Sequence, residues 1–213
     1  YAIQKQPKGI AEAFIIGKKF IGNDNVCLIL GDNVFYGKSL PVILKKAMKD
    51  IQEKNSSIIF GYRVNDPERY GVIEFNEQND VISIEEKPNL PKSNYAAVGL
   101  YFYKNDIINV AKNIIPSDRG ELEITDVNLL YLKENRLKAE VFDSIFWLDT
   151  GTHDALAEAS NFIKTVEARE GKKISCLEEI AYKYKYISKQ QLIKIINSYN
   201  NDYGEYLRTL IND

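Results

Sequence analysis

The chain has 213 residues, 45% of them hydrophobic, enough to bury one sizeable core and a small accessory layer without forcing a second full domain. Its 28 Lys and Arg against 30 Asp and Glu leave a net charge of -2, which gives no electrostatic reason to expect nucleic acid or an acidic membrane surface as partner. One histidine and two cysteines supply little material for a zinc site, a cysteine nucleophile or a Ser-His-Asp triad, so those classes drop out first. No apolar stretch reaches the ~18 residues of a bilayer span, no signal-peptide pattern opens the chain, and neither Cys27 nor Cys176 reads as a disulfide partner. A reducing, cytoplasmic setting is the expectation.

The chain opens without Met on Tyr1-Ala2-Ile3, which reads like the interior of a strand, so the natural N-terminus is expected upstream. Residues 10–21 form an apolar, helix-like stretch, Gly22-Asn23-Asp24-Asn25 a turn, and Val26 to Leu30 an apolar run too short for a helix. That run reads as a buried strand, with Cys27 a small buried hydrophobe. Ser39-Leu40-Pro41 opens a helix reaching about Gln52, with Ser39 as N-cap and Pro41 tolerated in the first turn. Ser57 to Tyr62 is the next apolar strand. Uniformly apolar strands around a helix predict a parallel sheet covered on both faces, joined by a right-handed crossover.

Tyr70 to Phe75, Val81 to Lys87 and Tyr95 to Tyr103 are extended stretches separated by turn formers, which predicts a β meander added to the sheet. Helical patterns return at Asp106 to Asn113 and Leu122 to Lys133, a strand is expected at Leu137 to Phe142, and from His153 onward the chain reads almost entirely helical. The predicted fold is Rossmann-like α/β: a mixed, mostly parallel sheet flanked by helices, with the meander and a C-terminal helical layer. The predicted organisation is one α/β domain over residues 1–174 and a helical extension over 175–213. The tyrosines of that extension (Tyr182, Tyr184, Tyr186, Tyr199, Tyr203, Tyr206) fit either an interface or internal packing.

Carboxylates and lysines remain to carry chemistry. Asp32, in Leu30-Gly31-Asp32-Asn33, follows the end of a strand, where ligands bind in open α/β sheets; a simple turn is the plainer reading. Asp149, in Trp147-Leu148-Asp149-Thr150-Gly151-Thr152, repeats that pattern. Two aspartates converging from two strand ends would make an all-oxygen site suited to Mg²⁺ and a phosphate chain, which points to phosphoryl or nucleotidyl transfer. Lys87, in Glu85-Glu86-Lys87-Pro88, is a point charge for a sugar phosphate if it faces the same cleft, and part of a solvated surface cluster otherwise. Arg119 could grip that phosphate bidentately, while its acidic loop also reads as the cap of the following helix. Gln4, ahead of Gly9 and a helix, offers the donor–acceptor pair that reads a pyrimidine edge. The sole histidine, His153, opens a helix and is expected to serve local structure.

Taken together, Leu30-Gly31-Asp32-Asn33-Val34-Phe35-Tyr36-Gly37, Asn65-Asp66-Pro67-Glu68-Arg69-Tyr70-Gly71-Val72, Glu85-Glu86-Lys87-Pro88, Asn94-Tyr95-Ala96 with Gly99-Leu100-Tyr101-Phe102-Tyr103, Arg119-Gly120-Glu121-Leu122-Glu123-Ile124-Thr125-Asp126 and Trp147-Leu148-Asp149-Thr150-Gly151-Thr152 resemble, in order and spacing, the glucose-1-phosphate thymidylyltransferase (dTDP-glucose pyrophosphorylase) family of sugar nucleotidyltransferases. The resemblance implies that Asp32 and Asp149 hold Mg²⁺, that Gln4 and Gly9 contact thymine, and that Tyr70, Gly71, Glu86, Lys87, Val98, Gly99, Arg119 and Trp147 line the sugar-phosphate pocket. It implies attack of glucose 1-phosphate on the α-phosphorus of dTTP, yielding dTDP-glucose and pyrophosphate for rhamnose and deoxysugar synthesis. It further implies a homotetramer with dTDP-rhamnose as feedback effector.

The family begins with a strand and a glycine-rich, arginine-bearing loop around the triphosphate, which this sequence does not supply; the polypeptide as it stands is therefore expected to be inactive, a piece of a complete enzyme. Ile10 and Glu12 replace the usual leucine and glutamine beside Gln4. Rival readings are a UTP- or CTP-using transferase of the same superfamily and a non-catalytic sugar-nucleotide-binding subunit.

Overall fold

The computed structural model describes residues 1–211. The chain divides into two compact units, Tyr1–Thr150 and Gly151–Asp213. The division falls ahead of the first long helix of the tail, whereas the sequence reading put its boundary at 174/175.

In the first unit, short helices α1 (Glu12–Ile16) and α2 (Lys18–Ile21) occupy the stretch expected as one helix, and Gly17 separates them. Then follow β1 (Val26–Ile29), β2 (Asn33–Tyr36), α3 (Leu40–Glu53), β3 (Ser57–Arg63), a 3₁₀ turn at Pro67–Arg69, β4 (Gly71–Phe75), β5 (Val81–Glu86), β6 (Tyr95–Tyr103), α4 (Ile107–Asn113), α5 (Ile124–Lys133), β7 (Leu137–Val141) and β8 (Phe146–Asp149). Pro41 sits in the first turn of α3 as expected, but Ser39 makes no side-chain cap; its hydroxyl is hydrogen-bonded at 2.7 Å to that of Ser144.

The sheet is mixed, as expected, in the order β5-β4-β6-β3-β7 with β1 also on β6. The nine-residue β6 organises it. One edge of β6 pairs antiparallel with β3, and the other pairs antiparallel with β1 near its C-terminal end and with β4 near its start. Strands β1, β3 and β7 share a direction, but β6 lies between β1 and β3, so β3·β7 is the parallel pair and the sheet is less parallel than apolar strands alone implied. The expected meander is instead a β4–β5 hairpin whose first strand, not its second, takes β6 as neighbour.

Alternation along β3 and β6 explains the apolar runs, since both faces are covered. Ile59, Tyr101 and Tyr103 pack with α1, α4 and α5, while Ile58, Phe60, Val98, Leu100 and Phe102 pack with α3, Phe142 and Trp147. Each such side chain contributes about 1.5–3 kcal/mol on burial. By contrast β1 alternates half-buried and exposed residues: Cys27 is free and exposed, and Ile29 is 57% exposed, contrary to the buried strand expected there. The expectation took an apolar run as two-sided burial, but side chains of a strand alternate in direction and only one face of β1 meets the core.

The second unit contains α6 (His153–Glu170), α7 (Leu177–Lys183), α8 (Lys189–Ile196) and α9 (Asp202–Thr209). Thr152 caps α6 by accepting from the Ala155 amide, Gly171 ends it at φ 64°, and Ser188 with Gln191 forms a capping box on α8. His153 is the first residue of α6 and exposed. Tyr199, Tyr203 and Tyr206 pack on the Cys176, Leu192, Ile196 and Leu207 core, whereas Tyr184 and Tyr186 form an exposed stacked pair. No helix among the described residues is long and apolar enough to cross a membrane.

Candidate active site

The two aspartates singled out by sequence are drawn to one place by a feature the sequence reading did not include. Strand β2 pairs antiparallel with β8 in a two-stranded ribbon whose register sets Asn33 opposite Asp149. Next to that pair, the backbone carbonyl of Asp32 accepts two hydrogen bonds from Thr150, one from its amide and one from its hydroxyl, each 2.8 Å. Asp32 therefore enters the ribbon where Asp149 leaves it.

Asn33 locks this end. Its Oδ1 accepts from the Gly99 amide of β6 at 2.9 Å and from Trp147 Nε1 at 2.7 Å, while its Nδ2 donates to Asp32 Oδ1 at 2.8 Å. Leu30 also donates its amide to the Gly99 carbonyl at 2.9 Å. Residues 30–33 thus enter beside β6 between the stretches paired with β1 and β4. Gly99 is required by proximity: a Cβ there would lie 2.7 Å from Asn33 Oδ1 and 2.7 Å from Leu30 Cγ.

Asp149 is walled by Arg69 and Tyr70. The Tyr70 ring meets Trp147 edge-on at 5.3 Å, and the Arg69 guanidinium lies over the Tyr70 ring at 5.3 Å. Arg69 Nη1 binds Asp66 Oδ2 at 2.8 Å and Nη2 stands 3.9 Å from Asp149 Oδ2. Burial raises the Tyr70 hydroxyl above the ordinary tyrosine range, Arg69 works against that rise, and Asp149 adds to it.

A second wall comes from β4, β5 and the loop before α5. Gly71 is the register partner of Glu86, and a Cβ on Gly71 would stand 3.1 Å from Thr125 Oγ1 and 3.4 Å from Glu86 Oε2. Thr125 donates to Glu86 Oε2 at 2.5 Å. Arg119 is surrounded by acid: Nη2 lies 2.9 Å from Glu123 Oε1, 3.6 Å from Glu86 Oε1 and 3.9 Å from Glu121 Oε2. The hydrogen bond to Glu123 is the chief reason the guanidinium holds its proton even more firmly than usual. Lys87 follows β5 at φ 44°, and its amide still donates to the Tyr70 carbonyl at 2.9 Å, so the pairing with β4 runs through the Lys87 backbone and ends at Pro88, which has no amide to donate; the Lys87 side chain is exposed. Burial raises the Tyr101 hydroxyl above the ordinary tyrosine range, and the charges of Glu86 and Asp32 add to the rise.

The N-terminal segment is stitched to the Arg119 loop. The Leu122 amide donates to the Lys8 carbonyl at 2.7 Å and the Ala11 amide to the Leu122 carbonyl at 3.2 Å. Gly9, at φ 95°, allows this approach; a Cβ there would stand 2.4 Å from the Leu122 carbonyl oxygen. Gln4 donates its Nε2 to Glu12 at 2.7 Å and to the Gly9 carbonyl at 3.1 Å, which leaves its carbonyl oxygen as the end to offer a ligand.

Of the residues chosen from sequence, Asp32, Asp149, Trp147, Tyr70 and Gly99 share the ribbon end, Gly71, Glu86 and Arg119 share the second wall, and Gln4 and Gly9 share the N-terminal segment. Val98 is fully buried beside Trp147 and Tyr70 and shapes the site from behind. Asn33, Arg69, Glu123 and Thr125 carry the hydrogen bonds that position these groups and were not chosen. Asn33 could have been found from its place directly after Asp32; Glu123 and Thr125 needed the fold. Among the described residues, no group of three or more His, Cys, Asp or Glu side chains could enclose a metal ion. The ribbon end brings together two acidic residues, Asp32 and Asp149, and Arg119 lies among the carboxylates of the second wall.

Residues 1–166 match the nucleotidyl transferase family, and the chain belongs to that family. Within it, the chain is 48% identical over 213 residues to the glucose-1-phosphate thymidylyltransferase of Neisseria meningitidis, covering 99% of this chain and 73% of the relative. It is 48% identical over 212 residues to the protein of the same name from Xanthomonas campestris pv. campestris, covering 99% of this chain and 71% of the relative. A Bacillus anthracis protein, provisionally named a glucose-1-phosphate thymidylyltransferase and solved with sucrose, superposes with a TM-score of 0.67 at 38% identity, over 76% of this chain and 63% of that one. A UDP-glucose pyrophosphorylase solved with UDP-glucose gives 0.67 at 31% identity, over 76% and 64%.

Proposed function

We propose that the chain provides the sugar-phosphate side and the metal carboxylates of a glucose-1-phosphate thymidylyltransferase. In the reaction, a phosphate oxygen of glucose 1-phosphate attacks the α-phosphorus of dTTP, the bond to the β-phosphate oxygen breaks, and dTDP-glucose and pyrophosphate result. The observation that carries this reading is the β2–β8 register with the paired Thr150 hydrogen bonds to Asp32, because it brings two acidic residues from distant parts of the chain to one ribbon end.

The donor set fits Mg²⁺: hard carboxylate oxygens from Asp32 and Asp149, few enough that phosphate oxygens and water complete the shell. When bound, the cation would offset the charge that builds up on the transferring phosphate. The protein's own groups do the rest. Arg119 and Lys87 hold the non-bridging oxygens of the sugar phosphate, and Glu86, steadied by Thr125, accepts from sugar hydroxyls. Trp147, Tyr70, Gly71 and Gly99 set the shape that admits the sugar, and Gln4 with Gly9 faces the base. Assembly into a homo-oligomer, a homotetramer by resemblance, and feedback by dTDP-rhamnose belong to the same reading; light scattering with and without that nucleotide tests both.

The decisive experiment is turnover of dTTP and glucose 1-phosphate by the complete enzyme, with its glycine-rich loop, carrying Asp149→Asn, across a Mg²⁺ titration. Loss of Mg²⁺-dependent turnover with an unchanged melting curve is expected, and near-normal turnover refutes the metal role. A second reading, uridylyl transfer, draws support from the UDP-glucose pyrophosphorylase likeness, and comparison of kcat/KM for dTTP, UTP and CTP separates the two.

A further inference from the structure

Arg69 belongs to neither substrate-holding group, yet its guanidinium faces the acid assigned to the metal. It closes the 3₁₀ turn Pro67–Arg69, whose first residue is buried and whose backbone is fixed by the Arg69 amide on the Asp66 carbonyl and the Tyr70 amide on the Pro67 carbonyl. Asp66 takes one side of the fork at 2.8 Å, the Tyr70 ring lies under the guanidinium at 5.3 Å, and the other side points at Asp149 across 3.9 Å. Tyr70 in turn rests on Trp147, the residue two places before Asp149 on β8.

We propose that Arg69 is a tethered counter-cation for Asp149, standing against this carboxylate in the metal-free protein and lowering its affinity for a bare divalent cation. The proposal rests on the metal reading given above. Two features argue for it. At 3.9 Å the Arg69–Asp149 contact is an ion pair too long for a direct hydrogen bond, so Arg69 acts on this carboxylate through its charge. At 2.8 Å the Asp66 contact is a hydrogen bond, so the guanidinium stays where it is when Asp149 is taken, and its charge then opposes the newcomer. Both side chains of the Asp66–Arg69 pair are 44% exposed, so the opposition is screened and modest, and removing it is expected to tighten cation binding roughly fivefold at low ionic strength.

The test is binding of Mn²⁺ alone to the protein, followed by electron paramagnetic resonance of free Mn²⁺, in wild type, Arg69→Met, Arg69→Lys and Asp149→Asn. Arg69→Met keeps the length and the stacking on Tyr70 but removes the charge; it is expected to bind Mn²⁺ about fivefold more tightly, an advantage that fades in 0.5 M KCl as screening shortens to roughly 4 Å. Arg69→Lys retains the charge and is expected to stay within about twofold of wild type. If Asp149→Asn loses Mn²⁺ binding while Arg69→Met binds no more tightly than wild type, the counter-cation role is overturned and the metal assignment stands. If Asp149→Asn binds as wild type does, or wild type binds no Mn²⁺, the metal assignment itself falls and this inference with it. Should Arg69→Met fold poorly, an affinity of Arg69→Lys well above that of wild type refutes the role of charge by itself.

Discussion

Asn33 is the residue on which the ribbon end depends, and its replacement should separate packing from charge. Asn33→Ala removes three hydrogen bonds at once and leaves the Gly99 amide and Trp147 Nε1 without their acceptor. Trp147 is only 7% exposed, so its indole N–H has little recourse to water. A buried donor left unpaired costs about 1–3 kcal/mol, and water entering the half-buried space vacated by Asn33 offsets part of it, so the pair should cost about 2–4 kcal/mol. For a chain of this size that corresponds to a melting temperature lower by about 5–15 °C. Asn33→Asp differs in kind: its oxygens still accept from Gly99 and Trp147, but an acceptor now faces Asp32 Oδ1 where a donor stood at 2.8 Å. Repulsion of about 1–3 kcal/mol is expected, and added salt should relieve it. Thermal unfolding with and without 0.5 M KCl measures both variants, and Trp147, the single tryptophan, reports its own hydrogen bond through a red-shifted emission in Asn33→Ala alone. An Asn33→Ala protein within about 0.5 kcal/mol of wild type with unchanged emission would refute the account.

Three further outcomes are expected. Gly9→Ala forces a Cβ against the Leu122 backbone at a φ of 95°, so it should destabilise by more than about 2 kcal/mol and detach the N-terminal segment, seen as faster amide exchange at Leu122 and Ala11; unaltered exchange would count against that stitch. Lys87→Gly should be more stable than Lys87→Ala by about 1 kcal/mol because glycine accepts the left-handed backbone at φ 44°, while both lose affinity for glucose 1-phosphate; equal stabilities would mean the backbone there is unstrained. In the second unit, the Lys173 ammonium holds Glu167 below its ordinary value of 4.5, and at Glu179 burial pushes upward but hydrogen bonds from Lys183 and Tyr206 win and hold it below 4.5 as well. Depressed carboxylates contribute stability that is complete above the unfolded value and lost as pH falls through the folded ones, so circular dichroism should find this unit weakening below about pH 4.5, and a unit equally stable at pH 7 and pH 3 would contradict it.

How much of this was legible in the chain follows from what each inference needed. Helix α3, strands β3 and β8 and the end of the β4–β5 pairing at Pro88 depend on local pattern, and the structure has them where apolar runs, Pro41 and Pro88 indicated. The direction of β6 was not legible, because an apolar strand covered on both faces looks the same whether its neighbours run with it or against it, and only pairing decides. Cys27 was misread for a related reason: composition marks a run as apolar but not which alternate residues find a partner. At the site, Asp32 and Asp149 were recognisable by their place after apolar strands, whereas Asn33, Arg69 and Glu123 act by holding other side chains, and a residue's service to a distant neighbour leaves no local trace. Arg69 illustrates the limit, since in sequence it pairs with Asp66 three residues away, a contact any helical turn would offer, and its approach to Asp149 exists because the β2–β8 ribbon folds back on β6 at Gly99. Local pattern therefore nominates the groups proposed to meet substrate, and tertiary register supplies the groups that keep them in position.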